Sequence, residues 1–256
     1  MKYLAIGDSF SEGVGDVDAS RPNQVRGWAD RVAEVLCANE NWQYANLAIR
    51  GKKIGQVINQ QLDRALELQP DVVSIYAGGN DILRPKADLD ALMKGYAGMV
   101  HKLRAAGIQV LLFTGFDTVN SPLFNKTRPR TAVYNELVRE IADTEGAMVA
   151  DYWRWREFSD VRYWAVDRLH MNQHGHTLMA KKVLEVLAAH SITAKDYSDQ
   201  IADPQLPPAA VDSRGQKLKD DLGWAKEHLV PWVQRRLKGT SSGDTLQPKY
   251  PEFIRL

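Results

Sequence analysis

The chain contains a single cysteine, Cys37, among 256 residues, so no intrachain disulfide can brace it and stability has to come from a packed core. Net charge is nearly absent. The 33 basic and 32 acidic side chains leave +1 at neutral pH, which excludes the broad positive field that gathers nucleic acid or an anionic bilayer. No apolar run approaches the roughly 20 residues that span a membrane. Lys2 is followed by only a short apolar stretch before Gly7, not by a secretory leader. One thiol and no leader give an expected cytoplasmic location. No internal repeat is present. What the chain does have is ordinary core material, 44% apolar and 25% charged residues, at a length that fits one α/β domain with a substantial extra segment or two small domains.

Up to about residue 189, strand patterns alternate with helix patterns. Lys2–Ile6, Trp42–Asn46, Asp71–Ala77, Ile108–Thr114 and Ala147–Asp151 are short and apolar on both parities, as strands covered on both faces should be. Between them run amphipathic stripes: Trp28, Val32, Val35 and Leu36; Ile54, Val57, Ile58, Leu62 and Ala65; Leu89, Leu92, Met93, Tyr96, Val100 and Leu103; Tyr134, Leu137, Val138 and Ile141. This alternation predicts a parallel sheet covered by helices on both sides. From Ser191 the texture changes. A proline-bearing polar stretch leads to a further stripe, Leu218, Leu222, Ala225, Leu229, Trp232 and Val233, expected to be helical with a break at Pro231. Tyr250, Phe253 and Ile254 close the chain.

Polar and glycine motifs stand where strands end, the edge at which such sheets bind ligands. Gly7-Asp8-Ser9 follows the first strand, Arg50-Gly51 comes shortly after the second, and Gly78-Gly79-Asn80-Asp81 follows the third. After the fifth comes an aromatic stretch and then Asp167-Arg168-Leu169-His170. Read singly, each motif is only a turn. Together they hold a nucleophile, a base and a carboxylate, the parts needed for acyl transfer.

In this order and spacing, the four blocks resemble the GDSL-type, or SGNH, family of serine esterases and lipases over about residues 1–190. The stretch His170-Met171-Asn172-Gln173-His174-Gly175-His176 resembles that family's last block, with Met171 where proline is common. The resemblance implies a flavodoxin-like parallel sheet in a three-layer α/β/α sandwich, here with a C-terminal helical extension. It also implies Ser9 as nucleophile, His170 as base, Asp167 as the carboxylate that orients it, and an oxyanion hole from Ser9, Gly51 and Asn80. The implied reaction is hydrolysis of carboxylic esters through an acyl-enzyme, on a small-molecule ester, with no cofactor. We therefore expect an SGNH hydrolase domain over residues 1–190 and an extension over 191–256 packed on it.

Other residues carry competing readings. Asp8 and Asp81 read as supports for the Ser9 and Asn80 turns. His174 and His176, near His170 and Asp167, raise the alternative of a metal-dependent hydrolase. They are two apart at an expected helix start and point in different directions, so no metal site is expected. A non-catalytic carbohydrate- or lipid-binding module on the same fold is the remaining alternative. Trp153, Trp155 and Trp164 are equally fit to fill the core or to wall a substrate site. Phe116–Arg130 is a long connection with the character of a specificity loop. Arg50, Lys52, Lys53, Arg84 and Lys86 read mostly as solvated charge.

Overall fold

A computed structural model of the protein describes residues 1–121, 124–208 and 241–256. Its six strands are β1 (Lys2–Gly7), β2 (Gln43–Asn46), β3 (Val72–Tyr76), β4 (Gln109–Phe113), β5 (Met148–Ala150) and β6 (Tyr250–Ile254). They form one sheet in the order β5-β4-β3-β1-β2-β6. The first five pair in parallel, with Tyr3 opposite both Val72 and Tyr44 at the centre of the sheet. Leaving out β6, the order is the 2-1-3-4-5 of a flavodoxin-like sheet, as expected. The chain's direction across the sheet reverses between β1 and β3, and the crevice beyond their carboxyl ends is where such folds bind ligands.

Alternate residues along each strand enter different cores. On one face Tyr3, Ala5 and Phe113 pack with Trp28, Val32 and Leu36 of α2 (Gly27–Asn39) and Met179, Val183 and Leu187 of α7 (Gln173–Ala189). On the other, Leu4, Ile6, Val73 and Ile75 meet three helices: α3 (Ile54–Leu68), α5 (Leu89–Ala105) and α6 (Arg128–Glu145). Two single-turn helices, α1 (Ser9–Glu12) and α4 (Gly79–Ile82), start at the ends of β1 and β3. The amphipathic stripes read from the sequence fall on α2, α3, α5 and α6. The three-layer arrangement follows because each stripe can leave water only by lying on the sheet.

The sixth strand departs from the expected five. Tyr250–Ile254 runs antiparallel to β2, with Tyr44 opposite Ile254 and Asn46 opposite Tyr250. Pro251, exposed within it, is tolerated because the strand lies at an edge, where a missing N–H costs no second ladder bond. The end of the chain is thus built into the sheet. The helical stripe expected over 218–233 lies outside the described residues.

Candidate active site

Ser9 is held by the turn that ends β1. At Gly7 φ is +134°, and a Cβ there would lie 2.1 Å from the Tyr76 carbonyl oxygen, so a side chain would block the turn against β3. Gln61 of α3 clamps the same residue: it accepts from the Gly7 N–H at 2.8 Å and donates to its carbonyl at 2.9 Å. Asp8 caps α1, its Oδ1 accepting from the Phe10 N–H at 3.1 Å. Ser9 is therefore the first residue of a helix, where a backbone N–H has no intrahelical acceptor.

The histidine loop is built by its own aspartate. Asp167 Oδ1 accepts from the N–H groups of Leu169 and His170 at 3.0 and 3.1 Å, which folds the loop. Oδ2 then lies 2.7 Å from His170 Nδ1. A carboxylate can only accept, so Nδ1 carries the ring proton and Nε2 is left as the acceptor, 3.2 Å from Ser9 Oγ. Asp167 would be raised by burial, but the bond to His170, the charge of its ring and the two amides outweigh that and hold it down to about 2. The ring is thus backed by an ionised carboxylate at every pH where a serine hydrolase works.

On the β3 side, Gly78 turns with φ +122° under the ring of Tyr134, and Asn80 follows in α4. The Asn80 amide donates to Asp8 Oδ2 and to the Lys52 carbonyl, each at 3.1 Å. Asp81 Oδ2 accepts from the Ile54 N–H at 3.0 Å, tying the Asn80 turn to the start of α3. Asp8 and Asp81 have the supporting positions read for them. Among the described residues the N–H groups of Ser9 and Gly51 donate to no protein acceptor. Gly51 has φ +81° and does not line the cavity above Ser9.

Burial pushes Asp8 up to about 7, against the bonds from Phe10 and Asn80 and the charge of His170, while Asp81 adds to the rise. An acid raised on folding stays protonated in the fold while the unfolded chain has already ionised, so its share of stability is lost as pH rises from about 4 to about 7. Asp8→Asn keeps the cap and removes the charge. In denaturant titrations, wild type minus Asp8→Asn should therefore fall with pH over that range, by up to about 1.4 kcal/mol per pH unit. A flat difference would show that Asp8 ionises freely.

A cavity of about 140 Å³ opens over Ser9, Asn80 and His170, with Phe116, Phe124, Tyr152 and Trp164 among its aromatic lining. Only one of the three candidate tryptophans borders it. Trp164 packs on Phe116 with centroids 4.5 Å apart, whereas Trp155 turns into the Tyr152–Phe158 cluster and Trp153 lies under Arg128. Phe116 and Phe124 come from the long connection after β4. His176 is buried and spends both ring nitrogens on structure, Nδ1 accepting from the Trp28 N–H and Nε2 donating to the Val14 carbonyl, each at 3.1 Å. Burial pulls it down to about 4, so it remains neutral. Among the described residues no group of three or more His, Cys, Asp or Glu is arranged to hold a metal.

Three features were not anticipated. Gln61 is polar on the stripe that buries Ile54, Val57 and Leu62, and that misfit is its signal in the sequence. Glu12 is fully buried and accepts from the Arg50 N–H at 2.6 Å and from its guanidinium. Arg50 is thus not solvated charge but part of the scaffold, and Arg84 likewise bonds the Asn80 carbonyl.

The sequence profile of the GDSL-like lipase/acylhydrolase family matches residues 5–178. Solved structures share the fold at low identity. LAE5, an alpha/beta hydrolase enzyme from the metagenome of Lake Arreo, Spain, is 20% identical with a TM-score of 0.61, over 72% of this chain and 94% of that one. TesA is 22% identical with a TM-score of 0.61, over 74% and 99%. Axe2, an acetylxylan esterase from Geobacillus stearothermophilus, is 21% identical with a TM-score of 0.60, over 73% and 93%. No curated protein sequence matches the chain significantly. Among the described residues no helix is long and apolar enough to cross a membrane.

Proposed function

This chain belongs to the GDSL-like lipase/acylhydrolase family, and from that we propose that its ester hydrolysis is carried by Ser9, His170 and Asp167, with Ser9, Gly51 and Asn80 forming the oxyanion hole. The observation that carries the assignment is the contact chain Ser9 Oγ, His170 Nε2, His170 Nδ1, Asp167 Oδ2, at 3.2 and 2.7 Å, on the floor of an aromatic cavity.

Ser9 Oγ attacks the ester carbonyl and passes its proton to Nε2, and Asp167 stabilises the imidazolium that forms. The oxyanion meets the unpaired N–H groups of Ser9 and Gly51. It competes with Asp8 for one proton of the Asn80 amide, and burial makes Asp8 a weak rival by favouring its neutral form. Collapse expels the alcohol, which takes its proton from His170. Water, deprotonated by the same ring, then frees the acid and restores Ser9. A pure binding module has no use for a serine backed by an oriented imidazole, so that alternative is not favoured.

The cavity is close to the ~150 Å³ that accommodates a benzene-sized group. We assign it to the acyl group, limited to about six heavy atoms. Across p-nitrophenyl esters from acetate to palmitate, kcat/KM should peak near butyrate to hexanoate and fall at least about tenfold by palmitate, since excess methylenes must stay in water. Turnover and fluorophosphonate labelling should both be lost in Ser9→Ala. A rate still rising at palmitate would refute the acyl limit, and a wild type inert to every ester and to the fluorophosphonate would refute the catalytic assignment.

A further inference from the structure

The Arg50 carbonyl and the Gly51 N–H belong to one planar peptide unit, so whatever fixes the carbonyl also aims the amide. Ser241 Oγ lies 3.0 Å from the Arg50 carbonyl oxygen and donates to it. A carbonyl can only accept, so the hydroxyl proton is committed to that bond, and the same oxygen accepts from the Gly243 N–H at 3.1 Å. Ser241 is itself held by Asp244, whose Oδ2 accepts its N–H at 2.7 Å. The approach is close: a Cβ on Gly51 would lie 1.9 Å from Ser241 Oγ. Only glycine leaves room there for the serine.

The rest of the segment is pinned from other sides. Glu12 takes the Arg50 N–H and guanidinium, and Asn80 takes the Lys52 carbonyl. These bonds hold the Ile49–Arg50 and Lys52–Lys53 peptides, but neither touches the unit that contains the Gly51 N–H. Ser241 does. It lies in the C-terminal segment, outside residues 5–178 that match the family profile.

We propose that Ser241 is a positioning residue for ester hydrolysis: its hydroxyl fixes the Arg50–Gly51 peptide so that the Gly51 amide faces the developing oxyanion. Donation to the carbonyl also polarises the peptide and strengthens its N–H as a donor. The proposal rests on Gly51 being an oxyanion donor, as read above. It gives the C-terminal segment a part in the reaction that does not require contact with substrate.

Ser241→Ala removes the hydroxyl with its bonds to the Arg50 carbonyl and the Gly243 N–H, and keeps the backbone bond to Asp244. Loss of a direct oxyanion donor typically costs about 10²–10³ in rate, so loss of its support should cost less, about tenfold in kcat. KM should stay within about twofold, and fluorophosphonate labelling of Ser9 should slow in parallel, because the phosphonyl oxygen occupies the same hole. Asp244→Ala, which frees the serine's backbone, should lower kcat in the same direction by less. An unchanged kcat in Ser241→Ala overturns the proposal, as does a loss confined to KM or to thermal stability. If wild type is labelled at Ser9 and Ser241→Ala is labelled equally fast, this inference fails while the catalytic assignment stands. If wild type is not labelled, the catalytic assignment itself fails.

Discussion

Ser9→Ala and His170→Ala should each lower kcat by about 10⁴-fold or more, and the double variant should lose little beyond either alone. The expectation follows from the direction of the hydrogen bonds. A serine hydroxyl is a poor nucleophile at neutral pH until a base takes its proton. Of the two nitrogens of the His170 ring, Nε2 is the one left to do so, 3.2 Å away, because Nδ1 is committed to Asp167 at 2.7 Å. Removing either partner leaves the other without a task, so the two losses describe one event. On the proposed oxyanion hole, what survives should come from the amides of residues 9 and 51, which would still stabilise an oxyanion formed by attacking water. Steady-state rates on one activated ester, with active-site titration to exclude contaminating wild type, would measure both singles and the double. Losses that multiply would mean that the serine and the histidine act in separate steps.

The sheet and the convergence of the turns bearing Ser9 and Asn80 are legible in the sequence because they obey short-range rules, whereas the roles read for the site residues come from the family resemblance. Strands buried on both faces must be apolar throughout, and helices lying on them must be apolar on one stripe, so Lys2–Gly7 and Val72–Tyr76 declare themselves. Once β1 and β3 are central neighbours, the turns after them must converge, and Ser9 and Asn80 come with them. Tyr250–Ile254 obeys no such rule. Its alternation is broken by Pro251 and Glu252, and its place is set by an edge of β2 some two hundred residues away in the chain. Trp153, Trp155 and Trp164 follow β5 through successive single-turn 3₁₀ segments, which have no lasting periodicity. Sequence spacing therefore could not say which ring borders the cavity. Gln61 and Lys249 were hidden for a different reason. A polar residue is read as exposed unless its partner is known, and their partners, the Gly7 peptide and Asp30, lie far off in sequence.

That second pairing carries the largest expected effect on stability. Lys249→Met should destabilise the fold by about 3–5 kcal/mol. The ammonium is completely buried and donates to the Glu12 carbonyl at 3.0 Å, the Arg26 carbonyl at 2.6 Å and Asp30 Oδ2 at 2.7 Å, so all its protons are used. Burial pulls Lys249 down and pushes Asp30 up to about 6, while the charge and hydrogen bond of each favour the ionised form of the other. Methionine fills the space and, among the described residues, leaves Asp30 bonded to the hydroxyls of Tyr44 and Tyr250, at 2.9 and 3.4 Å. Without the cation the acid must rise further. A folded-state acid raised above its unfolded value loses stability as pH increases, so the deficit of Lys249→Met against wild type should widen from pH 5 to pH 8. Adding Asp30→Asn removes the stranded charge and should recover part of the loss, since replacing a buried pair is far milder than breaking it. Urea titrations of wild type, Lys249→Met and the double variant at both pH values would test this. A deficit under about 1 kcal/mol that does not change with pH would mean that water reaches the pair. The C-terminal strand would then be an attachment to the sheet and not one of its supports.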